Sequence, residues 1–306
     1  MKIGIIAGGL LYEKEEVIKA ANDIKEVLDK YHESYIIDIN QENEIEKINL
    51  NIFDTYFIVD PFYTESNYQK DIRYLLEKMQ YKYTGANLKT ASLCKDKLLS
   101  KYIVSKMNEQ IKIPRHFIVP DNPSYEWFEE IIDILELPII IKPSQEGSSI
   151  GVKLCHTIDS LYEECLHLQE NHRIIMIEEY ISGLDILNGV FVFNNEVKNL
   201  ATIEIELGTS NIYDYENKNV IGISKLHIPA RLPAELNNKI YDISKKIYNT
   251  FNCSGYSRID YRLKEDTLYF LEINASPTMT WAYTRRSIEN ISLSYDDFIL
   301  GILNSI

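Results

Sequence analysis

The stretch from Arg258 to Thr280, RIDYRLKEDTLYFLEINASPTMT, carries the side chains best suited to chemistry. It reads as two strands joined by a turn at Lys264-Glu265-Asp266. Alternation sends Ile259, Tyr261, Leu263, Tyr269, Leu271 and Ile273 to one face, and Arg258, Asp260, Glu272 and Asn274 to the other. With an odd number of turn residues, Asp260 lies opposite Glu272 and Arg258 near Asn274. Facing carboxylates repel each other unless a cation sits between them. A hard divalent ion with oxygen ligands removes that repulsion, and an Asn carbonyl is a natural third ligand. The spacing therefore predicts a magnesium site beside a reacting phosphate.

Two further constellations point the same way. In Lys142-Pro-Ser-Gln-Glu-Gly-Ser-Ser-Ile-Gly151 an apolar strand delivers Lys142 into a loop of small residues. Gly147 and Gly151 let the backbone approach an anion closely, and Ser148 and Ser149 add hydroxyl donors. The spacing GxxxxGK[ST] is absent, so this is not a Walker loop; the plain alternative is a glycine-rich hairpin turn. In Ile177-Glu-Glu-Tyr-Ile-Ser-Gly-Leu-Asp185, Glu178 and Glu179 end a strand whose backbone could read an adenine edge, and Asp185 could accept from ribose hydroxyls. Taken alone, this third segment is an acidic strand end.

The elements that must position these residues form an α/β chain. Lys2 to Ile6 is a strand ending at Gly8-Gly9, followed by helical spacing from Glu13 to Lys30. Further strands are expected at Tyr35–Ile39 and Thr55–Val59, with a helix near Tyr68–Met79. A helix starting near Thr90 carries Lys95 and Lys97. Strands follow at His116–Val119 and Pro138–Lys142, then a helix at Ile158–Gln169 and a strand at Arg173–Tyr180. Leu236, Ile240, Ile243 and Ile247 share one helical face, and Phe298–Leu303 is an apolar helix. The expected divisions are residues 1–89, 90–175 and 176–306.

With 306 residues, 45% hydrophobic and 25% charged, the chain can hold two or three small domains. A net charge of −14 with no offsetting basic face excludes a nucleic-acid partner. The four cysteines lack CxxC pairing and read as reduced thiols of a cytoplasmic protein. The apolar first residues are too short for a membrane span and lack a signal cleavage site. His116, His156 and His172 have no neighbouring nucleophile or metal partner in the sequence.

Together these motifs resemble the ATP-grasp superfamily, and more closely the D-alanine–D-alanine ligase family. YTGANLKTASLCKDK (Tyr83–Lys97), KPSQEGSSIGV, EEYISGLDI, YDYENK and RIDY…LEINASPTMT occur in that family's order. The resemblance implies a Rossmann-like N-terminal domain followed by two α+β domains clasping ATP. It implies that Lys97 and Lys142 contact phosphates, with Ser148 in the loop above them. Glu178, Glu179 and Ile181 would frame adenine, and Asp185 would hold ribose where the family more often has Glu. Asp260, Glu272 and Asn274 would carry two magnesium ions, with manganese as an alternative. Lys218 would reach the γ-phosphate from a closing loop, Arg258 would stabilise the acyl phosphate, and Glu13 would orient the first substrate's ammonium together with Ser148. A homodimer acting on small amino-acid or amine substrates is implied as well.

The substrate side departs from the pattern. The family's HGxxGEDG should follow Val59, where the chain reads Asp60-Pro-Phe-Tyr-Thr-Glu-Ser-Asn-Tyr68. Thr278 replaces a glycine, Tyr283 a serine and Asn219 a tyrosine, and GGxSxE becomes Gly8-Gly-Leu-Leu-Tyr-Glu13. These changes predict an ATP-dependent carboxylate–amine ligase with altered amino-acid specificity. The alternatives are a genuine D-alanine–D-alanine ligase, a non-catalytic ATP-binding regulatory protein and, on one glycine turn alone, a dinucleotide-dependent oxidoreductase. Arg285 and Arg286 are either surface arginines or ligands for an extra substrate carboxylate.

Overall fold

The computed structural model describes residues 1–8, 14–39, 48–60, 71–107, 110–147, 149–208, 212, 224–279 and 281–306. Three sheets organise them. The first is parallel, with β1 (Lys2–Ala7) between β2 (Glu33–Asp38) and β3 (Thr55–Asp60). Helix α1 (Lys14–Leu28) covers it with Val17, Ala20, Ala21, Ile24 and Leu28, and α2 (Ile72–Lys78) follows β3 in the chain.

The helix expected to carry both Lys95 and Lys97 is two helices, α3 (Leu88–Lys95) and α4 (Lys97–Ser105), broken at Asp96. Asp96 adopts an extended backbone and its carboxylate accepts from the Leu98 and Leu99 amides, an N-cap that restarts the helix at Lys97. The same carboxylate accepts from Ser144 Oγ and Gln145 Nε2, tying the break to the glycine-rich loop.

The second sheet is antiparallel, in the order β4 (His116–Ile118), β7 (Ile175–Glu179), β5 (Ile139–Pro143), β6 (Lys153–Cys155). Ile139, Ile141, Ile175 and Ile177 pack under α5 (Tyr125–Leu135) and α6 (Ile158–Gln169). The two-residue period of a strand then points Lys142 and Glu178 away from that core. A division of the chain after residue 175 would run through this sheet, because β7 pairs with β4 and β5.

The third sheet runs β11 (Lys225–His227), β10 (Ile203–Glu206), β8 (Leu184–Phe193), β12 (Tyr256–Lys264), β13 (Thr267–Asn274), with β9 (Glu196–Asn199) beside β8. One face buries Ile186, Val190, Ile259 and Ile273 beneath α7 (Ala234–Thr250), whose Leu236, Ile240, Ile243 and Ile247 form the predicted apolar face. Ala91, Cys94 and Val104 of α3 and α4 join this core, so those helices pack on the third sheet. The short α8 (Arg286–Glu289) and then α9 (Tyr295–Leu303) end the chain, and α9 packs against α1, Phe191 and Tyr256 in a core shared with the first sheet.

The β12–β13 hairpin corrects one expectation. Its turn has two residues, Glu265-Asp266, with Lys264 paired to Thr267. An even turn alone would set Asp260 off register with Glu272. A β-bulge supplies the missing residue: Tyr261 pairs with Phe270, yet Asp260 pairs with Glu272 and Arg258 with Asn274. The bulge also shifts the alternation. Leu268 and Phe270 enter the core, not Tyr269 and Leu271, and Leu271 turns to the opposite face.

Candidate active site

The second and third sheets face each other across a cleft of about 960 Å³. Lys142 and Glu178 enter it from the second sheet, Asp185 from β8, Arg258, Asp260 and Arg262 from β12, and Glu272 from β13. Lys97 reaches in from the first turn of α4, its backbone N–H bonded to Ser144 O at 3.0 Å. Its ammonium bonds Glu146 O and lies 3.2 Å from Glu272 Oε2.

The facing acids therefore already have cations of their own. Arg258 grips Asp260 through Nε–Oδ1 at 2.7 Å and Nη2–Oδ2 at 2.8 Å. Burial opposes the charge on Arg258, but the Asp260 carboxylate more than offsets this and holds the guanidinium firmly protonated. With Arg258 on Asp260 and Lys97 on Glu272, repulsion between the acids no longer demands a metal. The case for magnesium rests on donor type. Asp260, Glu272 and Asn274 present oxygen on one hairpin face, with Asn274 Nδ2 at 3.4 Å from Glu272 Oε1, and hard oxygen donors fit a hard divalent ion. Two acids and an amide make the set; no group of three His, Cys, Asp or Glu side chains suited to a metal occurs among the described residues.

On the second sheet Glu178 is buried between two lysines. Lys142 bonds its Oε1, and Lys101 Nζ lies 3.1 Å from Oε2 in an ion pair without an aligned hydrogen bond. Burial alone would raise the Glu178 pKa, but Lys101 and Lys142 outweigh it and hold it down to about 2. Lys101 is fully buried, and desolvation pulls its ammonium down to about 8 against the attraction of Glu178. Glu179, at the cleft edge, pairs with Arg115, whose Nε is 2.7 Å from Oε2, and its amide donates to Arg115 O. Ile181 is buried at the cleft wall. Its carbonyl accepts from Arg262 Nε at 2.9 Å, and Arg262 also pairs with Asp185 and reaches Tyr180 OH at 3.3 Å. Burial pushes Asp185 up to about 6 even with Arg262 beside it.

Lys97, Lys142, Glu178, Glu179, Ile181, Asp185, Arg258, Asp260 and Glu272 thus line one cleft, with Asn274 beside Glu272. Glu13, Ser148 and Lys218 lie outside the described residues, as do Asn219 and the segment 61–68. Lys101 and Arg262 were not singled out in the sequence. Arg262 had a signal, since it sits two residues from Asp260 on the same strand face. Arg285 pairs with Asp23 of α1 at 3.2 Å and lies 4.0 Å above the Tyr295 ring, so it is engaged between elements rather than offered to a substrate. Arg286 Nη2 is 3.5 Å from Leu226 O.

Two sheets clasping a cleft of lysines, arginines and paired acids define an ATP-grasp enzyme, an ATP-dependent ligase that forms carbon–nitrogen bonds. Residues 116–304 match the family model described as D-ala D-ala ligase C-terminus, and a D-alanine–D-alanine ligase of Carboxydothermus hydrogenoformans is 33% identical over 92% of this chain and 89% of its own length. The chain belongs to the D-alanine–D-alanine ligase family. The crystal structure of a Bacillus anthracis D-alanine–D-alanine ligase superposes with a TM-score of 0.83 at 27% identity, covering 100% of this chain and 97% of that one. The VanG D-Ala:D-Ser ligase of Enterococcus faecalis shares the fold, with a TM-score of 0.81 at 22% identity over 99% and 98% of the two chains.

Proposed function

We propose that this enzyme joins two small amino-acid-type substrates through an acyl phosphate, and that its second-substrate pocket differs from one built for D-alanine. The observation carrying the second part is Tyr283. It packs half-buried against the apolar cluster of Leu187, Ile203 and Ile205, and Leu187 also lines the cleft. A phenol there, where the family pattern has serine, exchanges a small hydroxyl for a large ring. Thr278, also half-buried, adds a side chain where the pattern has none.

A carboxylate is a poor electrophile. Transfer of the γ-phosphoryl of ATP to one carboxylate oxygen makes an acyl phosphate; the amine attacks its carbonyl carbon, phosphate leaves with the C–O bond electrons, and the amine sheds a proton. Lys97 and Lys142 supply ammonium donors to phosphate oxygens, and Arg258 offsets negative charge as the carbonyl becomes tetrahedral. Glu178, Glu179, Ile181 and Asp185 form the nucleotide's base and sugar wall. Magnesium held by Asp260, Glu272 and Asn274 would neutralise phosphate charge. Glu13, Ser148 and Lys218 keep in this reading the roles that the family resemblance implies. No described helix is long and apolar enough to cross a membrane, and the described cysteines are free thiols, which supports a cytoplasmic setting. A homodimer belongs to the same reading and is checked by sedimentation.

A second reading, a D-alanine–D-alanine ligase in product as well as family, is favoured by the names of the relatives at 30–33% identity. ADP release across a panel of amino acids and amines, with products identified by mass, separates the two. Efficient D-alanyl-D-alanine synthesis would overturn the altered pocket. ATP binding without ADP release for any pair would favour a non-catalytic role.

A further inference from the structure

Behind the cleft wall the chain buries two ammonium groups against one carboxylate. Lys101 is fully buried, Lys142 is 6% exposed and Glu178 is 3% exposed. Only Lys142 and Glu178 line the cleft; Lys101 lies behind them on α4, with its Nζ 3.3 Å from Phe270 O of β13. The three side chains thus connect the third sheet to the second across the base of the cleft. Burying a charge without a partner is strongly unfavourable. Lys101 is held by Glu178 and also feels the Glu272 charge, so Lys142, the one of the two lysines that faces the cleft, can turn to an incoming anion without leaving Glu178 unpaired.

We propose that Lys101 is a positioning residue for nucleotide binding: by keeping hold of Glu178, it frees Lys142 to leave that carboxylate for a phosphate oxygen. This rests on the reading of the cleft as the ATP site. Without Lys101, Lys142 would be the sole partner of a buried carboxylate, and its transfer to a phosphate would strand Glu178 unpaired facing the ligand's own negative charge. Lys101 therefore sets nucleotide affinity without touching the nucleotide, and it acts only through Glu178.

The test is calorimetric titration of the full chain with ADP and magnesium, using the parent, Lys101→Met, Glu178→Gln and the double variant. Lys101→Met is expected to bind ADP at least about tenfold more weakly than the parent, whereas in the Glu178→Gln background the same substitution is expected to cost little. A structural role alone would give additive losses, so a roughly tenfold loss on adding Lys101→Met to Glu178→Gln overturns the proposal, as does parent-like binding by Lys101→Met. If Lys101→Met does not fold, the decisive pair is Glu178→Gln against the double variant, which leaves no carboxylate unpaired. Equal ADP affinities support the proposal and a tenfold difference overturns it. A parent protein that binds no ADP would refute the nucleotide reading itself, a different outcome from any of these.

Discussion

Replacing Arg262 with Met leaves the Asp185 carboxylate buried at the cleft wall without its guanidinium partner. Breaking a buried pair from one side costs about 3 kcal/mol or more at pH 7, roughly 6 °C in melting temperature for a chain of this size. The loss depends on pH. Burial raises the Asp185 pKa from 3.8 to about 6 despite Arg262, so the folded protein binds more protons than the unfolded chain between those values. Stability from this group therefore rises as pH falls from 6 towards 3.8. Removing Arg262 raises the folded pKa further and extends that window upward past pH 7. At pH 5 Asp185 is largely protonated in both proteins, whereas at pH 7 only the parent benefits from an ionised, paired carboxylate. One pKa unit lies between 6 and 7, so the penalty at pH 7 should exceed that at pH 5 by about 1.4 kcal/mol. Thermal melts of parent, Arg262→Met and Arg262→Met/Asp185→Asn at both pH values measure this. The double variant should lose the extra pH dependence. An equal drop at pH 5 and pH 7 in Arg262→Met would refute the assignment of the effect to Asp185.

The remaining predictions concern three other positions. Glu272→Gln should reduce ADP release about 100-fold or more while the melting temperature moves by only about 2 °C, because its ion pair with Lys97 is partly exposed; near-normal turnover would remove Glu272 from the metal set. Gly183 has φ +144°, and an added Cβ would lie 2.1 Å from Leu263 O, so Gly183→Ala should destabilise by about 3 kcal/mol and weaken nucleotide binding, read from melts and ADP titration. Arg285→Met should leave the KM of every active substrate unchanged and lower stability by at most about 1 kcal/mol; a selective rise in KM for an acidic substrate would restore Arg285 as a ligand.

What the sequence disclosed, and what it hid, follows from the range of the forces involved. Strand alternation and helical spacing are local, and they located β5, α6, α7 and the two hairpin strands. The bulge at Leu271 has no local signature, since a single extra residue looks like ordinary alternation until the partner strand is known. The break at Asp96 was legible in principle, because an Asp followed by helix formers is an N-cap signal, but the run from Thr90 to Lys97 also reads as one continuous helix. Lys101 was hidden for another reason, its partner Glu178 lying 77 residues away, and Arg262, although its strand face set it beside Asp260, gave no sign of its equally distant partner Asp185. Nothing within a helical or strand window distinguishes a fully buried lysine from a solvated one. The reverse held for Arg285, whose neighbours made it look available until Asp23 and Tyr295 were placed beside it.

The bulge in the β12–β13 hairpin has a consequence for how this hairpin can vary. Asp260 faces Glu272 only because the two-residue turn and the one extra residue of β13 together restore the count. What selection can preserve is parity rather than length: a residue added to the turn is tolerated if the bulge disappears with it, and a residue lost from β13 is tolerated if the turn lengthens. Insertions and deletions here should therefore come in compensating pairs, and a lone one would rotate an acid out of the cleft while leaving the hairpin itself intact.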